Sequence, residues 1–129
     1  MAGLFARIIA GRIPCHRVAE DERFLAFLDI APLRMGHTLI VPKQEIDKFF
    51  ELPADTLAHF LPFAQQVAER IERAVPCNRV GLVVMGLEVP HAHMHLIPID
   101  TASDMDFARP KLQPTSEELA AMAALLRAS

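Results

Sequence analysis

With 129 residues, 52% of them hydrophobic, the chain has material for one small domain with a real core. Its net charge of −3 supplies no broad basic surface, which argues against general nucleic-acid binding. No apolar run reaches the roughly eighteen residues that suggest a membrane-spanning helix, and Cys15 and Cys77 form no metal-binding spacing and read as free thiols.

Residues 4–10 read as a short helix stopped by Gly11 and Pro14. Strands are expected near 16–20, 23–29 and 36–42, the first two joined by a tight hairpin turn at Asp21-Glu22. Leu57, Phe60, Leu61, Ala64, Val67, Ala68, Ile71 and Val75 follow the helical period, so residues 55–74 form the main helix. Pro62 lies inside that pattern and should kink the helix or mark a late start. Strands follow near 79–85 and 91–98, and residues 100–114 form a loop with prolines and aspartates. Met105, Phe107 and Arg109 of that loop have the reach to meet a substrate or a partner subunit, but a packed tail is the simpler reading. Thr115 and Glu118 have capping-box spacing ahead of Leu119, Met122, Ala123 and Leu126, a short final helix. Helices and antiparallel strands mix without βαβ alternation, so the class is α+β.

The most informative segment is His91-Ala92-His93-Met94-His95-Leu96-Ile97. Half of the chain's six histidines fall here, at alternate positions. In a strand they would share one face, with Ala92, Met94 and Leu96 on the other, against a core. Such a row is costly as structure, since each ring needs hydrogen-bond partners and protonated neighbours repel. Two chemistries suit it. One is metal binding, in which a neighbouring pair takes one ion and His37 adds a third ligand. His91 and His95 would be roughly 13 Å apart at about 3.3 Å per residue, too far for all three rings to meet one ion with bonds of about 2.0–2.1 Å. The other is nucleophilic attack on phosphorus by a neutral imidazole, with its neighbours binding the phosphate oxygens. The middle ring, His93, then has a donor on either side.

These residues resemble the signature of the histidine triad (HIT) family, His-x-His-x-His followed by two apolar residues. Three further segments resemble that family in order: Phe5, Ile8, Ile9, Ile13 and Pro14; Phe27, Asp29, Ile30 and Pro32; and Gly36-His37-Thr38-Leu39-Ile40-Val41-Pro42-Lys43. The branch they look most like is the Hint-type nucleotide hydrolases. The motifs cover residues 4–99, and the tail 100–129 has no assignment. The resemblance implies a HIT-like α+β fold over residues 1–129, with about five antiparallel strands, one long helix and one or two short ones. It implies a homodimer acting on a purine nucleotide, without a metal or other cofactor, and we read the chain as cytoplasmic.

By the same resemblance His93 is the nucleophile, His95 and His37 stand near the phosphate, and His91 helps to hold His93. Asp29 would grip the ribose hydroxyls, as a carboxylate can accept two hydrogen bonds at once. Phe5, Ile8, Ile13, Phe27 and Ile30 would wall the base, and Phe5, Ile8 and Ile13 serve equally well as core. One segment departs from the family. Met85, Leu87 and Glu88 stand where it carries an Asn, a Gln and often a Ser near the phosphate. Glu88 then either serves an amine leaving group, as acid or as binding group, or turns away to pair with Lys43 or Arg79. The expected function is hydrolysis of a phosphoramidate or acyl-nucleotide through a nucleotidyl-histidine intermediate. A non-catalytic nucleotide-binding module is the alternative, and a metal-dependent hydrolase a third.

Overall fold

The computed structural model describes residues 3–129. In chain order it contains α1 (Leu4–Ile9), β1 (Arg17–Glu20), β2 (Phe24–Leu28), β3 (Thr38–Pro42), α2 (Ala54–Ala74), β4 (Arg79–Val83), β5 (Met94–Ile99) and α3 (Ser116–Ala128). Short 3-10 turns cover Phe49–Glu51 and Ala102–Met105. The strands form one antiparallel sheet in the order β1-β2-β3-β5-β4. The class is therefore α+β with one five-stranded sheet, as the sequence implied.

Strand alternation divides the buried residues into two layers. Phe24, Ala26, Leu28, Ile40, Ala92, Met94 and Leu96 face the amphipathic side of α2, where Phe60, Phe63, Ala64, Val67 and Ile71 lie. Burying each of these large apolar side chains contributes about 1.5–3 kcal/mol, which makes this the main core. α3 adds Leu119, Ala123 and Leu126 to it. The opposite layer is thinner: Leu25, Phe27, Leu39 and Val41 are covered by Phe5 of α1. This second face carries the chemistry.

The Asp21 turn forms as expected. The Asp21 side chain accepts from the amides of Arg23 and Phe24 and starts β2. The Thr115–Glu118 capping box is also present at the start of α3. Pro62 does not delay α2, which begins at Ala54 and continues through the proline. The five buried apolar side chains outweigh the one lost amide donor. The strand expected over 91–98 is corrected at its start. β5 begins at Met94; His91 lies in the bend before it and His93 in the irregular residues between. The cause is tertiary: the His91 side chain and the Ala92 amide are bonded away from a neighbouring ladder, to Pro42 and Ile46. Gly36, at φ +100°, makes the turn into β3, and a β-carbon there would crowd Val75 at 3.2 Å. Among the described residues no helix is long and apolar enough to cross a membrane.

Candidate active site

Asp29 follows β2 and His37 precedes β3. The Asp29 amide donates to the His37 carbonyl at 3.0 Å, extending the ladder one step past the Leu28–Thr38 pair. Both side chains lie on the α1 face, with Asp29 Oδ2 3.7 Å from His37 Nε2. His95 pairs with Leu39 across the β3–β5 ladder, which brings its ring to His37. Nδ1 of His95 lies 2.9 Å from Nε2 of His37.

Backbone partners set the hydrogens on these rings. The Leu33 amide donates to Nδ1 of His37 at 3.1 Å, so that nitrogen carries a lone pair and Nε2 carries the hydrogen. His37 Nε2 therefore donates to Nδ1 of His95, leaving His95 with a donor at Nε2. Nδ1 of His93 lies 2.7 Å from the His91 carbonyl, which can only accept. Its hydrogen is there, so in the neutral ring Nε2 carries the lone pair. His91 is tied by Nε2 to the Pro42 carbonyl at 2.8 Å. Among the described residues, His91 Nδ1 is the one fully buried side-chain polar atom without a partner. The unbonded Nε2 atoms of His93 and His95 thus keep contact with solvent. The outward Nε2 atoms of His93 and His95 stand side by side, their rings 5.1 Å apart.

Burial enforces neutrality. It lowers His37 to about 3, assisted by the charges of His95 and Lys111. It lowers His95 to about 4, with His93 adding to the effect. Asp29 is raised, again chiefly by burial. The Ala31 amide, bonded to it at 2.9 Å, and the charge of Lys111 oppose that shift, and Glu88 adds to it.

The other residues expected at the site divide. Phe5 stands edge-on to His93 at 5.1 Å, to His91 at 5.8 Å and to Phe27 at 5.6 Å, and Ile8 packs on the same layer. Ile13 is half-buried outside that layer. Ile30 follows Asp29 and is 70% exposed, open to a ligand. Glu88 is exposed on the loop before the triad. Lys43 pairs with Glu20 and Arg79 with Asn78, so the two proposed cations are engaged elsewhere. Phe107 is an addition from the tail. Its ring is 4.9 Å from that of His95 and 6.2 Å from that of His37. Phe107 is thus packed, as the simpler reading had it, and it packs on the histidine cluster; it is the lone aromatic of residues 100–129.

Donor atoms of Asp29, His37 and His95 lie within 4.8 Å of one another, a spacing that an ion could share. The hydrogen bonds oppose that use. A metal at His37 Nε2 would require its hydrogen to move to Nδ1, which already accepts from Leu33.

The HIT domain family profile matches residues 10–102. The chain belongs to the HIT family. A HIT-like protein from Methanocaldococcus jannaschii is 41% identical over 100 residues, 74% of this chain and 77% of that one. A Schizosaccharomyces pombe protein named adenosine 5'-monophosphoramidase is 38% identical over 100 residues, 76% of this chain and 74% of its own. Among solved structures, a Hit-like protein from Bartonella henselae superposes with a TM-score of 0.84 at 28% identity, over 98% of this chain and 95% of that chain. In this HIT chain the loop before the triad presents Met85 and Leu87 to solvent, Leu87 at 87% exposure, with no polar side chain at either position.

Proposed function

We propose that this HIT chain hydrolyses a nucleoside monophosphate joined to a leaving group through a phosphorus–nitrogen or anhydride bond. The observation that carries the reading is His93: its Nδ1 hydrogen is committed to the His91 carbonyl, which turns the lone pair outward at Nε2. Nε2 attacks the α-phosphorus, the bond to the leaving group breaks, and that group leaves with its electron pair and takes up a proton. His95 donates from Nε2 to a phosphate oxygen as charge spreads over it. Water then displaces His93 and releases the nucleotide. Asp29 accepts from the ribose hydroxyls, and Phe5, Phe27 and Ile30 border the base. The relative named adenosine 5'-monophosphoramidase supports an amine leaving group and an adenine base.

The test is release of nucleoside monophosphate from adenosine and guanosine phosphoramidates, an acyl-adenylate and a dinucleoside polyphosphate. Wild type should turn over at least one, and His93→Ala should lose about 10³-fold or more. No release from any of them, by folded protein that still binds AMP, would instead support the binding module, with Met85 and Leu87 as the reason.

We further infer a homodimer built on β4. This strand ends the sheet, and beside it Leu61, Ala64, Ala68, Val80 and Leu82 line an apolar groove of about 410 Å³ against α2. An open edge with exposed apolar side chains favours pairing with a second copy. Light scattering should give twice the chain mass, and Leu82→Asp should halve it.

A further inference from the structure

We propose that Lys111, presented by the loop that carries Phe107, is the cation that meets the phosphate of the bound nucleotide. The proposal rests on the nucleotide reading of the site and adds a residue that none of the recognised motifs contains.

The loop is anchored at both ends. Arg34 holds Asp100 at 3.4 Å and Asp104 at 3.0 Å, and Thr101 and Asp104 form a capping box around the turn Ala102–Met105. The Leu112 amide donates to the Pro32 carbonyl at 2.9 Å, closing the loop back onto the turn after Asp29. Between these anchors Phe107 is laid against His95 and His37, and Lys111 Nζ stands 5.7 Å from the Phe107 ring. The ammonium is therefore held beside the ring that packs on the histidine cluster, and its charge acts on both Asp29 and His37.

Charge balance singles it out. Arg34 is committed to Asp100 and Asp104, and Arg109 to Asp104. Lys111 makes no ion pair among the described residues. Of its three donors, two are directed to the Phe107 and Arg109 carbonyls, which leaves one for a ligand. Around the candidate site His37 and His95 are neutral at pH 7 while Asp29 and Glu88 bring carboxylates. An incoming phosphate would meet a field of its own sign without a cation from elsewhere. The loop before the triad does not supply one, since it offers Met85 and Leu87. Lys111 supplies that charge from the tail.

The test is calorimetric binding of AMP and of adenosine to wild type, Lys111→Met and Lys111→Arg, with no need for turnover. Loss of one half-buried charged contact should weaken AMP by about tenfold and leave adenosine within about twofold, with arginine restoring most of the loss. If the methionine variant binds AMP as wild type does, Lys111 is not the phosphate cation. If AMP and adenosine weaken equally, Lys111 only staples the loop through the Phe107 carbonyl, and the proposal also falls. Wild type that binds neither compound would remove the nucleotide reading itself, an outcome distinct from both.

Discussion

His37 donates from Nε2 to Nδ1 of His95 across 2.9 Å; His95 cannot take a proton at Nδ1 without losing that bond, nor can His37 take one without losing the bond from the Leu33 amide. Burial lowers the two groups to about 3 and about 4 in the folded chain, against about 6.5 when unfolded. The unfolded chain therefore binds more protons in acid, and their stabilising contribution is full only above about pH 6.5. It is lost progressively as pH falls through that value toward about 4 and then about 3. Asp29, whose pKa is raised, acts in the opposite sense at the acidic end. The unfolding free energy from urea titrations should fall by about 1 kcal/mol per pH unit or more between roughly pH 6 and 4.5. His37→Asn should flatten that slope while lowering stability at pH 7. An unchanged slope in the variant would show that the rings titrate normally.

Asp29 has its two oxygens divided. Oδ1 accepts from the Ala31 amide at 2.9 Å, and Oδ2 faces His37 at 3.7 Å, beyond hydrogen-bond range. That second oxygen is available to the ribose. Asp29→Asn keeps the carbonyl acceptor for Ala31 but removes the charge-assisted contact. AMP affinity should drop about tenfold, whereas 2',3'-dideoxy-AMP should bind both forms alike. Equal losses for the two nucleotides would assign Asp29 to the turn alone.

What could be read from the residues depended on how local its cause was. The Asp21 turn, the Thr115 capping box and the apolar stripe of α2 each arise within a few residues, and all three formed. The approach of His95 to His37 was implied too, through the resemblance to the HIT motifs. The ring tautomers were not, because they depend on the Leu33 amide and the Pro42 and His91 carbonyls, and every residue type supplies such atoms. The break in β5 before Met94 was hidden for the same reason. Phe107 was singled out only for its reach, not for its place, because that place follows from Arg34 gripping Asp104, a contact seventy residues apart in the chain. Its one signal was to be the lone aromatic in an otherwise unpatterned tail.

Glu88 is exposed and unpaired with the cations proposed for it, yet its charge reaches Asp29. A solvated carboxylate at the rim of the site suits attraction of a cationic amine better than proton delivery. Glu88→Gln should therefore lower kcat/KM by several-fold for phosphoramidates whose leaving group carries a second, cationic amine, as expected for an exposed pair worth about 0.2–1 kcal/mol. It should leave uncharged leaving groups unaffected. A loss of about 10²–10⁴-fold on every substrate would instead make Glu88 the general acid.

Gly81 gives the means to disturb the Phe107 loop from the far side of the sheet edge. A β-carbon there would stand 2.4 Å from Sδ of Met105 and 3.1 Å from Cδ1 of Ile99. Gly81→Ala must displace the thioether, and Met105 ends the turn two residues before Phe107. The expected cost is about 1–3 kcal/mol in stability, as for other overpacked sites. Met105→Ala in the same chain removes the obstructing atoms, so the double variant should recover part of that loss, a coupling of about 0.5–3 kcal/mol. Because the loop carries Phe107 and Lys111, the single variant should also weaken AMP, and the double variant should restore it. Additive stability losses with unaltered AMP binding would mean that Met105 moves aside freely and that the loop is held by Arg34 and Pro32 alone.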